Sequence, residues 1–300
     1  MKLNDSFEQC LSPEVAAAAR VAVKVGGLVA SGKWSSEMQT KSHPTFGTAS
    51  YTEADIGGQL LAIADIHDQF DHARFLAEEE SAEAGMNPNP FPGDFSGTLD
   101  FSLDMIDGTT PFRHALFNWC SAIGVGRNQS HFGGVIYAPE VRGGLTIAGE
   151  KGRGVYLWEH GSEMPVLVSI GKVRSKPVIV LGLDVMRGNA FEKFLSVLPK
   201  NLKPRGIAES GALGLALVAA GRLDAIVQSP QMPWDWCGGY SLVHEAGGAF
   251  QCFHVVEGRI VPLEAPTAGD YASDAQRLGF IAGHPDLVPE LFSLLKANVG

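Results

Sequence analysis

The segment Asp104-Met-Ile-Asp107-Gly108-Thr109-Thr110 constrains this chain more than any other. It lies behind an alternating run, Thr98 to Asp104, in which Leu99, Phe101 and Leu103 share one face. That period of two is the mark of a half-buried strand. Asp104 therefore falls near the strand's end, where the chain begins to turn. Pro111 suits the first position of a helix, with Thr110 as its cap. The order is thus strand, acidic turn, helix start. Hard divalent cations take carboxylate and carbonyl oxygens, and anions take the free N–H groups of a helix N-terminus. This one turn offers both. Taken alone, it is also simply a polar turn that caps a helix.

The bulk of the sequence narrows the partners. Three hundred residues with 45% hydrophobic and 19% charged side chains can bury a large core without covalent staples. A net charge of −10 argues against a nucleic-acid duplex or an anionic membrane as a general partner. A small anionic substrate stays open, because a bound cation inverts the local field. Cys10, Cys120, Cys237 and Cys252 are widely spaced and form no Cys-x-x-Cys pair, so a reducing cytoplasm is expected. The apolar stretch Val15 to Ala30 is interrupted by Arg20 and Lys24 and reads as a helix capped by Ser12 and opened by Pro13, not as a membrane span.

Further helices are predicted from Glu53 to Asp71, from Pro111 to about Phe117, and over 190–198, 213–220, 237–246 and 285–297. Arg74 to Ala77 is a short strand that delivers Glu78-Glu79-Glu80, and 85–97 is a loop rich in Asn, Pro and Gly. Four short runs between Ala122 and Trp158, separated by glycine-rich turns, predict an antiparallel meander. Strands follow at 178–181 and 224–227. The pattern argues for a layered α/β sandwich with two lobes.

Two other acidic segments accompany the first. Glu79 closes the strand upstream, and Asp235, in Pro233-Trp234-Asp235-Trp236, precedes a helix that it is placed to cap. Glu79, Asp104, Asp107 and Asp235 gathered in one cleft would repel unless cations neutralise them. Mg²⁺ suits such a place, because it binds through few carboxylates and through substrate phosphate oxygens. Two such ions could activate a water and stabilise a leaving oxygen in an in-line displacement.

These motifs, in this order, resemble the inositol monophosphatase family. The resemblance rests on Glu79-Glu80-Ser81, Asp104 to Thr110, Gly221-Arg-Leu-Asp-Ala225, Pro233-Trp-Asp235 and Glu245-Ala-Gly-Gly248, with Lys41, Thr52-Glu-Ala-Asp55 and Gly152 to Tyr156 upstream or between. It implies a five-layered αβαβα sandwich forming a single domain over 1–300. An α+β lobe over about 1–170 and an α/β lobe over about 171–300 are expected. It implies a cytoplasmic, lithium-sensitive homodimer with Mg²⁺-dependent phosphomonoesterase activity, two or three ions per site, and hydrolysis by an activated water without a phosphoenzyme. By position, Glu79, Asp104, Asp107, Asp235 and the Ile106 carbonyl match metal ligands. Thr109 and Glu79 match groups that orient water, with Asp55 nearby. Asp107, Gly108, Thr109, Thr110, Ser210, Gly211, Ala212 and Gln228 match phosphate or substrate contacts.

The chain also departs from the family pattern. Met105 stands where Pro is usual and Pro111 where Asn is frequent; neither position offers a ligand side chain. Gln228, seven residues before Asp235, stands where inositol-cleaving relatives often place Glu, and Glu209-Ser-Gly-Ala212 replaces a Gly-Ser/Thr-Ala run. Inositol monophosphate, histidinol phosphate, fructose bisphosphate and phosphoadenosine phosphate therefore all stay open as substrates. An aspartyl-nucleophile phosphatase needs its two aspartates two residues apart and is disfavoured by the spacing of three. No P-loop occurs. A partner-binding protein that keeps the fold without catalysis is the alternative from another class. His114 and His244 read as packing or surface residues, and Arg113 as solvated or as a contact for a second anionic group.

Overall fold

The computed structural model describes residues 2–37, 39–43, 47–79, 99–127, 130–182, 189–205, 210–263 and 278–299. The expected loop at 85–97, together with Glu80, Ser81 and Glu209, lies outside them, as do the side chains of Lys41 and Arg205. In chain order the elements are α1 (Asp5–Glu8), α2 (Pro13–Ala30), β1 (Gln39–His43), β2 (Gly47–Tyr51), α3 (Glu53–His67), β3 (Arg74–Ala77), β4 (Leu99–Asp107), α4 (Thr109–Arg113), β5 (Cys120–Arg127), β6 (Ser130–Ala138), β7 (Leu145–Glu150), β8 (Gly154–Glu159), β9 (Val166–Val168), β10 (Val178–Leu181), α5 (Asn189–Val197), β11 (Lys203–Arg205), α6 (Gly211–Ala219), β12 (Ala225–Gln231), α7 (Pro233–Glu245), β13 (Ala249–Val256), β14 (Arg259–Leu263), β15 (Leu278–Gly283) and α8 (Leu287–Asn298).

Two large sheets organise these elements. The first has the order β3-β4-β5-β6-β7-β8-β9; β3 and β4 are parallel, and the rest is the expected meander. The second has the order β11-β10-β12-β15-β13-β14 and mixes parallel with antiparallel pairs. Its strands β13, β14 and β15 carry no alternation long enough to have been read from the sequence.

Three apolar clusters fill the spaces between layers. Helices α2 and α3 cover one face of the first sheet, where Phe101, Leu103, Met105 and Ile106 meet Val21, Val25, Ile63 and Ile66. Helices α6 and α7 lie between the sheets, joining Ile136, Ile147 and Leu157 to Val180, Ile226 and Phe280. Helices α5 and α8 close the outer face of the second sheet over Ile179, Val227 and Ile281. The layers therefore run α, β, α, β, α, as the family resemblance implies. Burying such side chains contributes about 25 cal/mol per Å² of apolar area.

The starts of α2 and α3 follow their sequence signals. Ser12 Oγ accepts the Val15 N–H at 3.4 Å, one residue ahead of Pro13. Thr52 and Asp55 form a reciprocal capping box at α3, with the Thr52 N–H donating to Asp55 Oδ2 at 2.6 Å. The packing of α7 needs glycine. A Cβ on Gly134 of β6 would sit 1.9 Å from the carbonyl oxygen of Gly238, so helix and sheet meet backbone to backbone there. No described helix is long and apolar enough to cross a membrane.

Candidate functional site

The parallel pairing of β3 with β4 begins the site. Ala77 lies opposite Leu103, and the Glu78 N–H donates to the Leu103 carbonyl at 3.2 Å. Glu78 and Asp104 therefore leave the ends of adjacent strands side by side. Beyond Asp104 the ladder slips. Asp104 pairs with Ala122 and Asp107 with Cys120, so three steps on β4 match two on β5. Such a bulge puts two side chains three apart on one face of the sheet. Asp104 stabilises it by accepting the Ile106 N–H at 2.9 Å.

Asp235 reaches the same place from the other sheet's side. It is the third residue of α7, which begins at Pro233 rather than at 237 as the sequence suggested. It is thus inside the first turn and accepts the Met232 N–H at 3.0 Å instead of serving as the cap itself. Carboxylate oxygens of Glu78, Asp104 and Asp235 lie within 4.8 Å of one another. They line a cavity of about 300 Å³ with Ile106, Asp107, Gly108, Thr109, Thr110 and Gln231.

The expected Glu79 does not join this cluster; Glu78 takes its place. Strand register decides between them, because Glu78 is the residue that continues β3 beside Asp104. Glu79 is buried one step further on, its backbone clasped by Gln59, which donates to the Glu79 carbonyl at 2.7 Å and accepts its N–H at 2.8 Å. It faces Asp55, whose pKa is raised to about 6 by burial first and by the Glu79 charge as well, against the lowering effect of Thr52. Asp55 Oδ1 in turn accepts from the Thr109 hydroxyl at 3.4 Å.

Asp104 shows the electrostatic problem at its most acute. Burial pushes its carboxyl well above the usual range, and Glu78, Asp107, Asp235 and Asp55 push in the same direction. A crowd of hard oxygen donors that repel one another fits a divalent cation. The residues present are therefore compatible with Mg²⁺.

The turn after β4 differs from its expected form. Gly108, at φ +97°, is the cap, and α4 runs only from Thr109 to Arg113. Pro111 sits inside its first turn, where no intrahelical N–H is needed, and Ala115 at φ +52° ends the turn well before Phe117. Phe112 holds α4 in place by packing edge-on against Trp119 at 5.0 Å.

Ser210, Gly211 and Ala212 turn out to be engaged with Asp107. Asp107 Oδ2 accepts from Ser210 Oγ at 2.7 Å and from the Ala212 N–H at 2.6 Å. Burial raises the Asp107 pKa to about 6, while Ser210, Ala212 and Gly211 pull it down. Cys120 adds a buried thiol, 3.4 Å from Ser210 Oγ, that no sequence signal picked out. Gln228 is not among the residues lining the cavity. It is buried against Gly182, and Gln231, which the sequence reading passed over, lines the cleft instead.

Fold and cleft together define a five-layered sandwich whose carboxylate-walled cavity lies where the ends of β4 and β12 face the starts of α4 and α7. The chain belongs to the inositol monophosphatase family, whose profile matches residues 11–277; members of that family are phosphoric monoester hydrolases. It is similar to an inositol monophosphatase of Dictyostelium discoideum, 25% identical over 251 residues and 81% of either chain. It is also similar to a protein of Neisseria meningitidis described as a putative Nus factor SuhB, 23% identical over 83% of this chain and 85% of that one. The extragenic suppressor protein suhB of Bartonella henselae has the same fold, with a TM-score of 0.72 at 22% identity over 96% of this chain and all of that one.

Proposed function

We propose that this protein is a Mg²⁺-dependent phosphomonoesterase that hydrolyses a small phosphorylated polyol, with inositol monophosphate as the first substrate to test. The observation that carries this is the convergence of Glu78, Asp104 and Asp235 within 4.8 Å in a cavity also lined by Gly108 and Thr109. Glu78, Asp104 and Asp235, with Asp107 and the Ile106 carbonyl, would hold the ions. When bound, Mg²⁺ would supply the positive charge that neutralises these carboxylates, draws in the phosphate and eases deprotonation of water.

The chain's own residues do the rest. The first-turn N–H groups of α4 point positive charge at a phosphate oxygen. Thr109, bonded to Asp55, would orient the attacking water and pass its proton to the Asp55 carboxylate, which burial and Glu79 make more basic than an ordinary aspartate. The water oxygen bonds to phosphorus as the P–O ester bond breaks, the departing alkoxide takes a proton from solvent water, and the alcohol and inorganic phosphate leave with no covalent intermediate on the chain. On this reading residues 1–300 form one domain of two lobes meeting near residue 170, working as a homodimer in the cytoplasm.

Asp104→Asn tests the reading. Inorganic phosphate release from inositol 1-phosphate is expected to require Mg²⁺ and to fall about a thousand-fold in the variant, since several kcal/mol of transition-state charge stabilisation is lost. Calorimetric titration of the same variant should show Mg²⁺ binding weakened. Near-normal turnover in Asp104→Asn would sink the assignment. Lack of Mg²⁺-dependent hydrolysis by the wild type across a broad phosphomonoester panel would favour the partner-binding alternative, which the likeness to a protein described as a putative Nus factor keeps in view.

A further inference from the structure

The two walls of the cleft are built by the same device. On β4, Asp104 and Asp107 are three apart, yet their partners Ala122 and Cys120 are two apart. On β12, Gln228 and Gln231 are three apart, yet their partners Phe280 and Leu278 are two apart. In a regular strand, residues three apart point to opposite faces. The extra residue in each bulge restores both members of the pair to one face.

On β12 that residue falls in the run Ser229-Pro230, and proline in a strand interior is a mark of such a bulge. Ile226, two residues before Gln228, packs against α6 and α7 on the inner face. The bulge therefore turns Gln231 toward the same inner layer, where it lines the cavity with Asp104, Asp107 and Asp235. Its amide lies against the start of α6, with Oε1 3.4 Å from where a Cβ on Gly211 would be. Without the bulge Gln231 would face the α5 and α8 side.

The chemistry of the lining singles Gln231 out. Four of the nine lining residues are carboxylates, and Ile106 and Gly108 offer only backbone polar groups. Thr109 and Thr110 belong to the phosphate turn. Gln231 is the uncharged side chain on the opposite wall that can both donate and accept.

We propose that Gln231, set by the Pro230 bulge, is a specificity-determining residue that reads hydroxyl groups on the leaving alcohol. The inference rests on the phosphomonoesterase reading above and deepens it. The substrate class it selects is a phosphomonoester with hydroxyls close to the ester oxygen, in preference to an aryl or simple alkyl phosphate.

The test compares inositol 1-phosphate with p-nitrophenyl phosphate, which has no such hydroxyl, in wild type, Gln231→Met and Gln231→Ala. Methionine keeps the volume and removes the hydrogen bonds. Both variants are expected to raise KM for inositol 1-phosphate about 5- to 10-fold, within the range of about 2- to 12-fold for one neutral hydrogen bond, with kcat changed less than twofold. For p-nitrophenyl phosphate, KM and kcat should both stay within twofold. Equal losses on both substrates would overturn the inference, because they would mean a general disturbance of the cleft. Unchanged KM for inositol 1-phosphate in an active enzyme would overturn it too. A wild type that hydrolyses neither substrate with Mg²⁺ would overturn the phosphomonoesterase reading itself, and this inference with it.

Discussion

Two helices begin at the cleft, and they treat their first turns in opposite ways. At α6, Ser210 Oγ accepts the Leu213 N–H at 3.1 Å, and Asp107 takes up the Ala212 N–H from across the cleft. At α4, Gly108 provides no side chain and no side-chain cap is made. By position in the sequence, both match phosphate or substrate contacts. The difference teaches that a helix start already holding a carboxylate has spent its attraction for anions, whereas one that opens on glycine has kept it. The proposed phosphate site is therefore α4, and the role of α6 is to steady Asp107.

The strongest way to break this contrast is Asp107→Asn. Asparagine can still accept from Ser210 and Ala212 but removes a charge from the cleft. Turnover should fall about a thousand-fold, with melting temperature in the absence of Mg²⁺ unchanged or raised. A sharp drop in melting temperature would show that the α6 start needs the charge, and the division of labour would fail.

Next in size is Gly108→Ala. A Cβ at φ +97° costs about 1–2 kcal/mol and would sit 3.1 Å from the Asn118 carbonyl oxygen. Tilting the first turn of α4 should lower kcat/KM about 30-fold, since small misplacements at a reacting centre are costly. An effect under threefold would remove α4 from the phosphate site.

A third test changes charge without changing sequence. Asp55 and Asp107 both have pKa values raised from 3.8 to about 6. Between those values these two groups hold more protons in the folded chain than in the unfolded one, so their contribution to the stability of the metal-free protein falls as pH rises from about 4 to 6. Burial lowers the pKa values of His131 and His160 to about 4, which acts in the opposite sense over the same range. The carboxylate share is therefore read as a difference: between pH 7 and 5 without Mg²⁺, the wild type should gain about 3–5 °C in melting temperature relative to an Asp55→Asn, Asp107→Asn variant. Saturating Mg²⁺ should raise it at pH 7 and much less at pH 5. A wild type that gained nothing on that variant between pH 7 and 5 would contradict the crowding of carboxylates in the cleft.

Ser210→Ala should have the smallest effect. Loss of a cap costs about 1 kcal/mol, and the Ala212 N–H still holds Asp107. Thermal unfolding should shift by a few degrees and kcat/KM by less than fivefold. A much larger catalytic loss would return Ser210 to direct contact with substrate.

Much of this was legible in the chain, for identifiable reasons. Pro13, Thr52 with Asp55, and the alternation before Asp104 act locally, so α2, α3 and β4 appear where their residues place them. The carboxylates at 104, 107 and 235 were found because their segments occur together and in the order of a known family, although each alone reads as a helix cap. What escaped depends on pairing. Choosing Glu78 over Glu79 requires knowing that β3 runs parallel to β4 and in which register. Choosing Gln231 over Gln228 requires the bulge, whose one local sign is Pro230. Strands β13 to β15 escaped because β15 is buried on both faces and so carries no alternation, while β13 and β14 alternate only weakly. The engagement of Ser210 with Asp107 joins residues 103 positions apart, and no spacing rule reaches that far.

Helix α7 has a consequence for how such a chain can change over evolutionary time. Asp235 stands in its first turn, and in its last turn Glu245 grips the glycine turn of the other sheet, accepting from the Gly152 and Gly154 N–H groups at 2.9 and 2.8 Å. Thirteen residues at 1.5 Å each make a rigid rod of about 20 Å fastened at both tips. Inserting or deleting one residue within it would turn one tip against the other by about 100°, parting either the acid from the cleft or the clasp from its turn. Substrate preference can drift through β12 and the surrounding loops, but α7 acts as a gauge whose length is fixed by what it measures.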